Sequence, residues 1–476
     1  MRPMIRIHSL LVLAFSACIL AACGGGGGGG SDTPTVAVNR PPVVARPNAA
    51  QAATVGTAFS YDAGQGGATF TDADGDAMTY AVTLSVTTVG LSVSGTTVSG
   101  TPHTAGTVAV TITASDGRGG SATNTFNIVV APVSQAALGR PILPAGLLAY
   151  ADADINLPAH YTRTGPGTVA GADNTPPTNA VTNAGATLGR VLFYDRRLSL
   201  NDTIACASCH QQSKGFSDPA RFSVGFRGAT TPRHAMGLTN ARYYNRGRFF
   251  WDERAATLED QVVTPIQDTT EMGMTLADLE TKLAATDYYP ALFRDAFGTT
   301  QVTRQRIALA LAQFVRSMSS YRSKYDQAFA GGVPNFAATL TAQEERGRQI
   351  YVGAGRCDGC HGTDAHISPN VFNNGLDATV TDVGAGGGRF KSPSLRNIAI
   401  RGPYMHDGRF ATLRDVVEHY DHGVQNNPNL AAQLKDNAGA PRQLNLSETD
   451  KLALIAFLGT LTDTALVQDP KFSNPF

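Results

Sequence analysis

The chain has 476 residues, enough for two to four domains, and its 38 Lys and Arg residues balance 38 Asp and Glu residues. A net charge of zero gives no signal for nucleic-acid binding or for attraction to an anionic membrane surface. With 42% hydrophobic residues the chain can bury full cores, whereas 50 glycines and 25 prolines predict long turns and linkers.

The first 22 residues are typical of an export signal, because a basic start precedes an apolar stretch too short to span a bilayer. The sequence Leu20-Ala-Ala-Cys23 resembles a bacterial lipoprotein cleavage site, at which Cys23 takes the lipid. The alternative is an ordinary secretory signal with an incidental cysteine. Residues 23–39 are glycine-rich and predict a flexible tether. We therefore expect a periplasmic protein with a lipid anchor. Gly24, directly after Cys23, favours anchoring in the outer membrane.

Residues 40–131 predict a β-sandwich, since short β-branched runs alternate with Gly, Asp and Ser turns. The segment Asp72-Ala-Asp74-Gly-Asp76 resembles cadherin-like and immunoglobulin-like repeats, in which clustered aspartates often bind calcium. A polar turn without an ion is the alternative. We expect a spacer or adhesive domain here, because no catalytic motif falls within it.

Residues 132–184 are rich in Pro, Ala, Gly and Thr, which predicts a linker and an arm packed on the following domain. Beyond them the apolar spacing becomes helical, as over 306–318. Capping sequences at Thr341-x-x-Glu344 and Ser447-x-x-Asp450 predict two further helices. The second should present Leu452, Ile455, Ala456 and Leu458 on its apolar side.

A pentapeptide of the form C-x-x-C-H occurs twice, as Cys206-Ala-Ser-Cys209-His210 and Cys357-Asp-Gly-Cys360-His361. This is the attachment pattern of a c-type haem, in which two thiols bind the porphyrin and the histidine ligates the iron. A redox pair, half of a zinc site and a disulfide are the alternatives. The chain has six cysteines, and the other two lie in the N-terminal targeting segment, which leaves no thiol for those roles. The sequence therefore predicts two covalent haems.

The two motifs lie about 150 residues apart, and each precedes its own helical stretch. We therefore predict a multidomain protein, with the β-sandwich followed by two mainly α-helical cytochrome c-type domains, residues 185–335 and 336–476.

Several longer motifs surround the two pentapeptides in a fixed order. They are Leu188-Gly-Arg-Val-Leu-Phe-Tyr-Asp-Arg-Arg-Leu-Ser199, Phe249-Phe-Trp-Asp-Glu-Arg-Ala-Ala-Thr-Leu-Glu-Asp-Gln261, Pro265-Ile-Gln-Asp-Thr-Thr-Glu-Met272, Phe390-Lys-Ser-Pro-Ser-Leu-Arg-Asn397 and Gly402-Pro-Tyr-Met-His-Asp-Gly408. Over roughly residues 185–462 the chain resembles the bacterial di-haem cytochrome c peroxidases. That family includes the enzyme that matures the tryptophan tryptophylquinone of methylamine dehydrogenase.

The resemblance implies that the N-terminal haem reacts with peroxide and that the C-terminal haem receives electrons. It places Glu271 as the distal acid/base, Gln261 as a distal hydrogen-bond donor and Trp251 between the haems. Each residue also has a structural alternative. Glu271 could cap the helix that opens near Thr275, Gln261 could be an exposed helical residue, and Trp251 could be a core aromatic.

Distal ligands of the two irons are less well specified. On the first haem His234 is the one histidine between His210 and Trp251, although related sequences often have asparagine there. On the second haem Tyr420 stands where many family members use methionine, and Met405 is the alternative. The resemblance also implies a calcium ion between the haem domains, at Asn240, Arg401 and Pro403.

Three functions remain open on the sequence alone. The leading hypothesis is a peroxidase that reduces hydrogen peroxide with electrons from a small cytochrome c or cupredoxin. The second is an oxidase that modifies a protein partner through a high-valent di-haem state. The third is a non-catalytic electron-transfer or adhesion lipoprotein. The oligomeric state stays open between a monomer and a homodimer.

Overall fold

The computed structural model describes residues 38–476. The predicted signal sequence, Cys23 and nearly all of the tether lie outside the described residues, so the lipid anchor stays a prediction. Within the described part of the chain, no helix is both long enough and apolar enough to cross a bilayer.

The N-terminal region folds as two facing, mostly antiparallel sheets, which confirms the predicted β-sandwich. One sheet has the order β2-β9-β8-β5, the other has the order β3-β7-β6, and β1 pairs with β4. The strands are β1 (Val43–Val44), β2 (Gln51–Thr54), β3 (Phe59–Asp62), β4 (Phe70–Thr71), β5 (Thr79–Leu84), β6 (Leu91–Ser94), β7 (Thr97–Gly100), β8 (Gly106–Ser115) and β9 (Ser121–Ala131).

Strand β8 shows why this segment folds as it does. Its buried residues alternate with less buried ones, so that Val108, Val110 and Ile112 point into the sandwich. Strand β9 pairs with β8 along its whole length and buries Phe126 and Ile128 by the same alternation. The sandwich therefore has a hydrophobic core of its own.

The rest of the chain is mainly helical. The helices are α1 (Gln135–Leu138), α2 (Ala159–Thr162), α3 (Asn183–Tyr194), α4 (Cys206–Cys209), α5 (Leu258–Gln267), α6 (Leu276–Ala284), α7 (Tyr289–Phe297), α8 (Arg304–Ser317), α9 (Lys324–Gln327), α10 (Phe336–Thr339), α11 (Ala342–Val352), α12 (Leu413–Glu418), α13 (Glu448–Gly459) and α14 (Thr464–Gln468). Two short strands, β10 (Val371–Phe372) and β11 (Phe390–Lys391), pair antiparallel across a long loop.

These helices form two units with separate cores. The first helical unit comprises α3–α8 with α14, and the second comprises α9–α13. The boundaries differ from the predicted ones at two places. Tyr325, before the predicted boundary at 335, packs in the second core. Leu466 and Phe472, near the C-terminus, return to the first core, where the Tyr194 hydroxyl donates to the Phe472 carbonyl at 2.5 Å.

The capping sequences behave as predicted. Thr341 and Glu344 form a reciprocal capping box at the start of α11. The Ser447 side chain accepts from the backbone N–H of Asp450 at the start of α13. The predicted apolar side of α13 is partly wrong, because Leu452 is 45% exposed and Ala453, Leu454 and Phe457 are buried instead.

Each helical unit is built on a close helix crossing at a glycine. A Cβ atom on Gly189 of α3 would lie 2.0 Å from the carbonyl oxygen of Ala310 in α8. A Cβ atom on Gly347 of α11 would lie 1.9 Å from the carbonyl oxygen of Ala453 in α13. The side chain four residues further on, Phe314 or Phe457, covers the glycine in both cases. The two units therefore share one crossing geometry.

Replacing Gly347 with Ala should destabilise the second helical unit by about 1–3 kcal/mol, the usual cost of overpacking. The added methyl group has to push α11 and α13 apart. Calorimetric melting of the full chain measures the effect. Gly459→Ala is the matched control, since nothing lies within 4 Å of its Cβ position. Equal melting temperatures for the two variants would contradict the close crossing.

Candidate functional site: two cavities joined at Trp251

The first C-x-x-C-H motif is folded as one helical turn. The backbone N–H of His210 donates to the carbonyl of Cys206 at 3.0 Å, which turns both thiols toward one side. The Nδ1 atom of His210 lies 2.9 Å from the Phe216 carbonyl. Because Nδ1 is held by the backbone, Nε2 is the nitrogen left for a metal.

The second motif has the same local geometry. The backbone N–H of His361 donates to the carbonyl of Cys357 at 3.0 Å. The Tyr351 hydroxyl donates to the His361 carbonyl at 2.8 Å, and Ser392 Oγ lies 3.3 Å from the imidazole nitrogens. Burial lowers the pKa of His361 to about 4, so the imidazole is neutral at pH 7, the form that ligates iron.

The four thiols of these motifs are free and partly buried, and they line the two cavities. Burial raises the pKa of Cys206 to about 12 and that of Cys209 to about 11. Burial likewise raises the pKa values of Cys357 and Cys360 to about 12. Thiols with pKa values this high stay protonated at neutral pH, unlike the reactive thiolates of redox pairs. This environment disfavours a redox C-x-x-C and fits thiols that carry a covalent group.

Each motif opens onto a cavity. The first cavity is walled by Cys206, Cys209, His210, Gln261 and Glu271, with apolar side chains from α3 and α8. The second cavity is walled by Cys357, Cys360, His361, Met405 and Tyr420, with apolar side chains from α12 and α13. A thiol pair, an oriented histidine and apolar walls are what a covalently bound haem needs, so both cavities fit this group.

Glu271 and Gln261 face the first cavity together. Burial, together with the nearby Asp268 and against the effect of Arg254, raises the pKa of Glu271 to about 7. The Thr275 side chain caps α6 by accepting from the backbone N–H of Asp278, so Glu271 is not the helix cap. The carboxyl is therefore divided between its acid and base forms near neutral pH.

The surrounding segment explains how Glu271 reaches the cavity. Pro265 lies inside α5 and lacks an N–H, so the carbonyl of Gln261 loses its usual helical donor. The chain then turns at Asp268, whose carboxylate accepts from the backbone N–H groups of Thr270 and Glu271. Met272 lines the cavity beside Glu271, and both Met272 and Met274 pack in the first core.

Trp251 belongs to the walls of both cavities. Its indole N–H donates to the His234 carbonyl at 2.8 Å, and its carbonyl accepts from the Lys391 backbone N–H at 2.8 Å. Its ring centroid lies 6.4 Å from that of His406, which stacks on Phe390 at 3.6 Å. The tryptophan is thus tied to segments of both units, at the place where the cavities meet.

His234 also lies where the cavities meet, but its ring is engaged by the protein. Nε2 lies 3.2 Å from Ser217 Oγ, and Nδ1 lies 3.2 Å from the Ala220 carbonyl and 3.3 Å from the Arg221 carbonyl. Ser217 adjoins Phe216, the residue that holds His210. With both nitrogens used on the His210 side, this geometry disfavours the prediction that His234 is a distal ligand of the first iron.

Tyr420 and Met405 both line the second cavity. Tyr420 lies in a π-helical turn, His419–Gly423, that follows α12 directly. Burial raises the pKa of its phenol well above the ordinary value, and a hydrogen bond with Asn374 opposes the change. The same Asn374 amide lies 3.3 Å from Met405 Sδ. Either side chain can therefore approach a group held in this cavity.

The predicted interdomain calcium site is partly engaged by protein groups. Asn240 Oδ1 accepts from the Ser320 backbone N–H at 2.8 Å, and Asn240 Nδ2 donates to the Tyr161 hydroxyl at 3.1 Å. Arg401 and Pro403 lie in the wall of the second cavity. Calcium at these residues stays a prediction.

The aspartate cluster of the β-sandwich has carboxylate oxygens of Asp72, Asp74 and Asp76 within 4.8 Å of one another. Two of these charges already have partners, since Asp74 pairs with Arg40 at 2.6 Å and Asp76 pairs with Arg118 at 3.1 Å. Asp72 Oδ1 accepts from the backbone N–H groups of the other two aspartates, which is the polar turn considered as the alternative. Calcium here also stays a prediction.

The sequence did not single out Lys391 or Asn374. Lys391 is buried between the cavities, where its ammonium group lies 3.9 Å from the Tyr244 ring centroid and 3.2 Å from the Arg248 carbonyl. Burial lowers the pKa of Lys391 to about 7. Lys391 lies in the motif Phe390–Asn397, which could have drawn attention to it. Lysines are mostly exposed, however, so the sequence alone gave no reason to expect a buried one.

Comparison with known proteins gives the same division of the chain. The family model "Di-haem cytochrome c peroxidase" matches residues 183–333, and an Ig domain family model matches residues 41–131. The methylamine utilization protein MauG of Methylorubrum extorquens is 33% identical over 297 residues, which cover 60% of this chain and 80% of that protein. The cytochrome c551 peroxidase of Nitrosomonas europaea is 33% identical over 324 residues, 65% of this chain and 89% of that protein.

Solved structures extend the likeness to the fold. A MauG-like protein associated with microbial copper homeostasis is 32% identical, with a TM-score of 0.56 over 64% of this chain and 96% of that chain. The di-haem peroxidase BthA of Burkholderia thailandensis, 23% identical, has a similar fold with a TM-score of 0.51 over 71% of this chain and 98% of that chain. With two C-x-x-C-H cavities in the helical region and an Ig-like region before them, the chain belongs to the di-haem cytochrome c peroxidase family, whose members are oxidoreductases that carry two c-type haems.

Proposed function

We propose that this protein is a peroxidase that reduces hydrogen peroxide to water with electrons from a small periplasmic donor, a cytochrome c or a cupredoxin. The observation that carries the proposal is the pair Glu271 and Gln261 on the cavity of the first motif. A carboxyl group with a pKa of about 7 can both accept and return a proton at neutral pH. Gln261 supplies an amide that can donate a hydrogen bond to a bound oxygen.

Reduction of one hydrogen peroxide molecule consumes two electrons and two protons and yields two water molecules. The haems, when bound, supply the electrons and the iron at which the O–O bond breaks. Glu271 would accept a proton from one oxygen of the peroxide and return it to the other. Gln261 holds the peroxide in line for this transfer. Trp251, in contact with both cavities, is proposed as the connection between the two haem sites.

The proposal is tested by mixing the pure holoprotein with hydrogen peroxide in a stopped-flow spectrometer, before and after one-electron reduction. Steady-state turnover with a reduced cytochrome c or cupredoxin completes the test. We expect stoichiometric consumption of two donor electrons per peroxide. A protein that binds two haems but does not consume peroxide in either redox state would contradict the proposal.

A second candidate function is an oxidase that modifies a protein partner. Tyr420 in the wall of the second cavity favours it, because tyrosinate stabilises ferric iron more strongly than methionine does. The MauG relatives, at 32–33% identity in two species, are the comparison that supports this candidate.

Replacing Tyr420 with Met separates the two candidates. If Tyr420 contacts the second haem, the substitution should raise the potential of one haem by on the order of 100 mV, within the roughly 0.8 V that axial ligands span. Spectroelectrochemical titration measures both potentials in one sample. The peroxidase proposal predicts that donor-dependent turnover persists or rises. The oxidase candidate predicts that the high-valent di-haem state is lost. Tyr404→Phe is the control, since the Tyr404 hydroxyl donates to the Ile398 carbonyl.

A further inference from the structure

The side-chain amide of Asn201 joins the β-sandwich to the first helical unit. The Nδ2 atom of Asn201 donates one hydrogen to the His103 carbonyl in the sandwich, at 2.9 Å, and the other to the Phe226 carbonyl, at 2.8 Å. Its Oδ1 atom accepts from the Thr203 hydroxyl at 2.6 Å. Every amide hydrogen of Asn201 is therefore used, and the two donations reach different parts of the fold.

Phe226 lies directly against the segment that carries Glu271. The Phe226 backbone N–H donates to the Glu271 carbonyl at 2.9 Å. The approach is close on both sides, because a Cβ atom on Gly225 would lie 1.7 Å from the Thr270 carbonyl oxygen. On Gly273, which has a φ of +64°, a Cβ atom would lie 2.3 Å from the Phe226 ring. Phe226 itself is buried, so its position fixes that of the Glu271 backbone.

The segment that carries Asn201 also contacts both the sandwich and the chain next to Glu271. Just after Asn201, the methyl group of Thr203 packs so closely on the sandwich that a Cβ atom on Gly56 would lie 2.8 Å from it. Just before Asn201, the Leu200 backbone N–H donates to the Met272 carbonyl at 2.9 Å. The chain then continues into Cys206.

The segment that directly follows the sandwich, residues 132–139, is held at a second point. Arg197 donates to the Gln135 side chain at 3.0 Å and to the Gly139 carbonyl at 3.0 Å. Arg197 is itself held by Asp195, whose carboxylate accepts from Tyr288 and Tyr289 at 2.9 Å each. With attachments at residues 197 and 201, the sandwich is docked on the helical unit, which opposes the expectation of a mere spacer.

We propose that Asn201 is a positioning residue for the peroxide reaction, which couples the docked β-sandwich to the Phe226 segment and so holds Glu271 toward the first cavity. The inference rests on the proposed function, because it assigns Asn201 an effect only through Glu271. The sandwich is then a working part of the reaction site, although no sandwich residue lies in the walls of the first cavity.

The test uses hydrogen cyanide and hydrogen peroxide as probes of the full-length ferric holoprotein. Hydrogen cyanide loses its proton when it binds ferric haem, so its binding rate reports on a positioned base without turnover. Asn201→Ala should slow cyanide binding and the peroxide reaction by about 10- to 100-fold, as expected when a catalytic group is displaced by up to about 1 Å. Haem content should stay at two per chain. Asn127→Ala, which truncates an exposed asparagine of β9 in the sandwich, should change neither rate.

The double variant Asn201→Ala/Glu271→Gln distinguishes positioning from general damage. If Asn201 acts through Glu271, the double variant is no slower than Glu271→Gln alone. If the Asn201→Ala effect appears in full on top of Glu271→Gln, or if Asn201→Ala behaves as wild type, the positioning role is overturned. If Glu271→Gln itself leaves both rates unchanged, the proposed function fails instead.

If Asn201→Ala does not accumulate as holoprotein, Thr203→Val tests the positioning role instead. This change keeps the shape beside Gly56 and removes the hydrogen bond that orients the Asn201 amide. It should slow cyanide binding in the same direction by a smaller factor, and the effect should again vanish in the Glu271→Gln background. An unchanged rate in folded Thr203→Val would overturn the proposal.

Discussion

Glu271→Gln should lower peroxide turnover by about 10²- to 10⁴-fold, the usual contribution of a positioned acid/base group. The amide keeps the size of the side chain and cannot shuttle a proton. Both haems and electron uptake at the second haem should be retained. Turnover per haem, measured with a reduced cytochrome c, gives the result. Glu271→Asp should fall between the two, because the carboxylate survives but is drawn back by one methylene group.

The stability of the same variant separates a catalytic role from a structural one. The pKa of Glu271 is about 7 in the folded protein and 4.5 in the ordinary side chain, so folding favours the protonated form. Wild-type stability therefore falls as pH rises from 4.5 to 7, by up to about 3 kcal/mol. Glu271→Gln cannot ionise, so it should melt higher than wild type at pH 8 and at the same temperature at pH 4. Lower stability with normal turnover would remove Glu271 from the mechanism.

Removing the thiols of one motif should remove one haem and abolish donor-linked turnover. Cys206→Ala/Cys209→Ala should leave a single haem that still takes electrons and does not react with peroxide. Cys357→Ala/Cys360→Ala should leave a single haem that still binds cyanide and receives no electrons from the donor. A pyridine haemochrome assay should count two haems in wild type and one in each double variant.

Ser208→Ala is the control for these variants, since Ser208 stands between the two thiols and its Oγ only accepts from the Ala205 N–H. It should retain both haems and near-normal turnover. Wild-type protein with one haem, or with stoichiometric zinc at either motif, would refute the assignment of both cavities.

The sequence predicted those parts of the fold that depend on short-range patterns. The β-branched runs of the sandwich and the capping at Thr341 and Ser447 act over a few residues and appear in the structure as predicted. The return of Phe472 to the first core and the docking at Asn201 depend on contacts between residues far apart in the chain, which no local pattern contains. Leu452 was assigned to the wrong side because α13 is apolar over much of its surface, and the spacing alone does not choose a face.

The candidate site divides in the same way. The motifs located the thiols and Glu271, because their chemistry follows from residue type and spacing. The engagement of both His234 nitrogens depends on Ser217 and on two carbonyls, and backbone acceptors have no signature in a sequence. Lys391 was missed for a related reason, since its burial arises only where the two helical units meet.

The glycine crossings of α3 with α8 and of α11 with α13 have an evolutionary consequence. Because both units rest on the same crossing, a change at Gly189 or Gly347 threatens the scaffold of a haem site, whatever that site does. The segment between each C-x-x-C-H motif and the second helix of its crossing lies outside the crossing itself. In the first unit that segment supplies Glu271, and in the second it supplies Tyr420. Because each scaffold is separate, the residues around one haem site can change while the other site keeps its own chemistry.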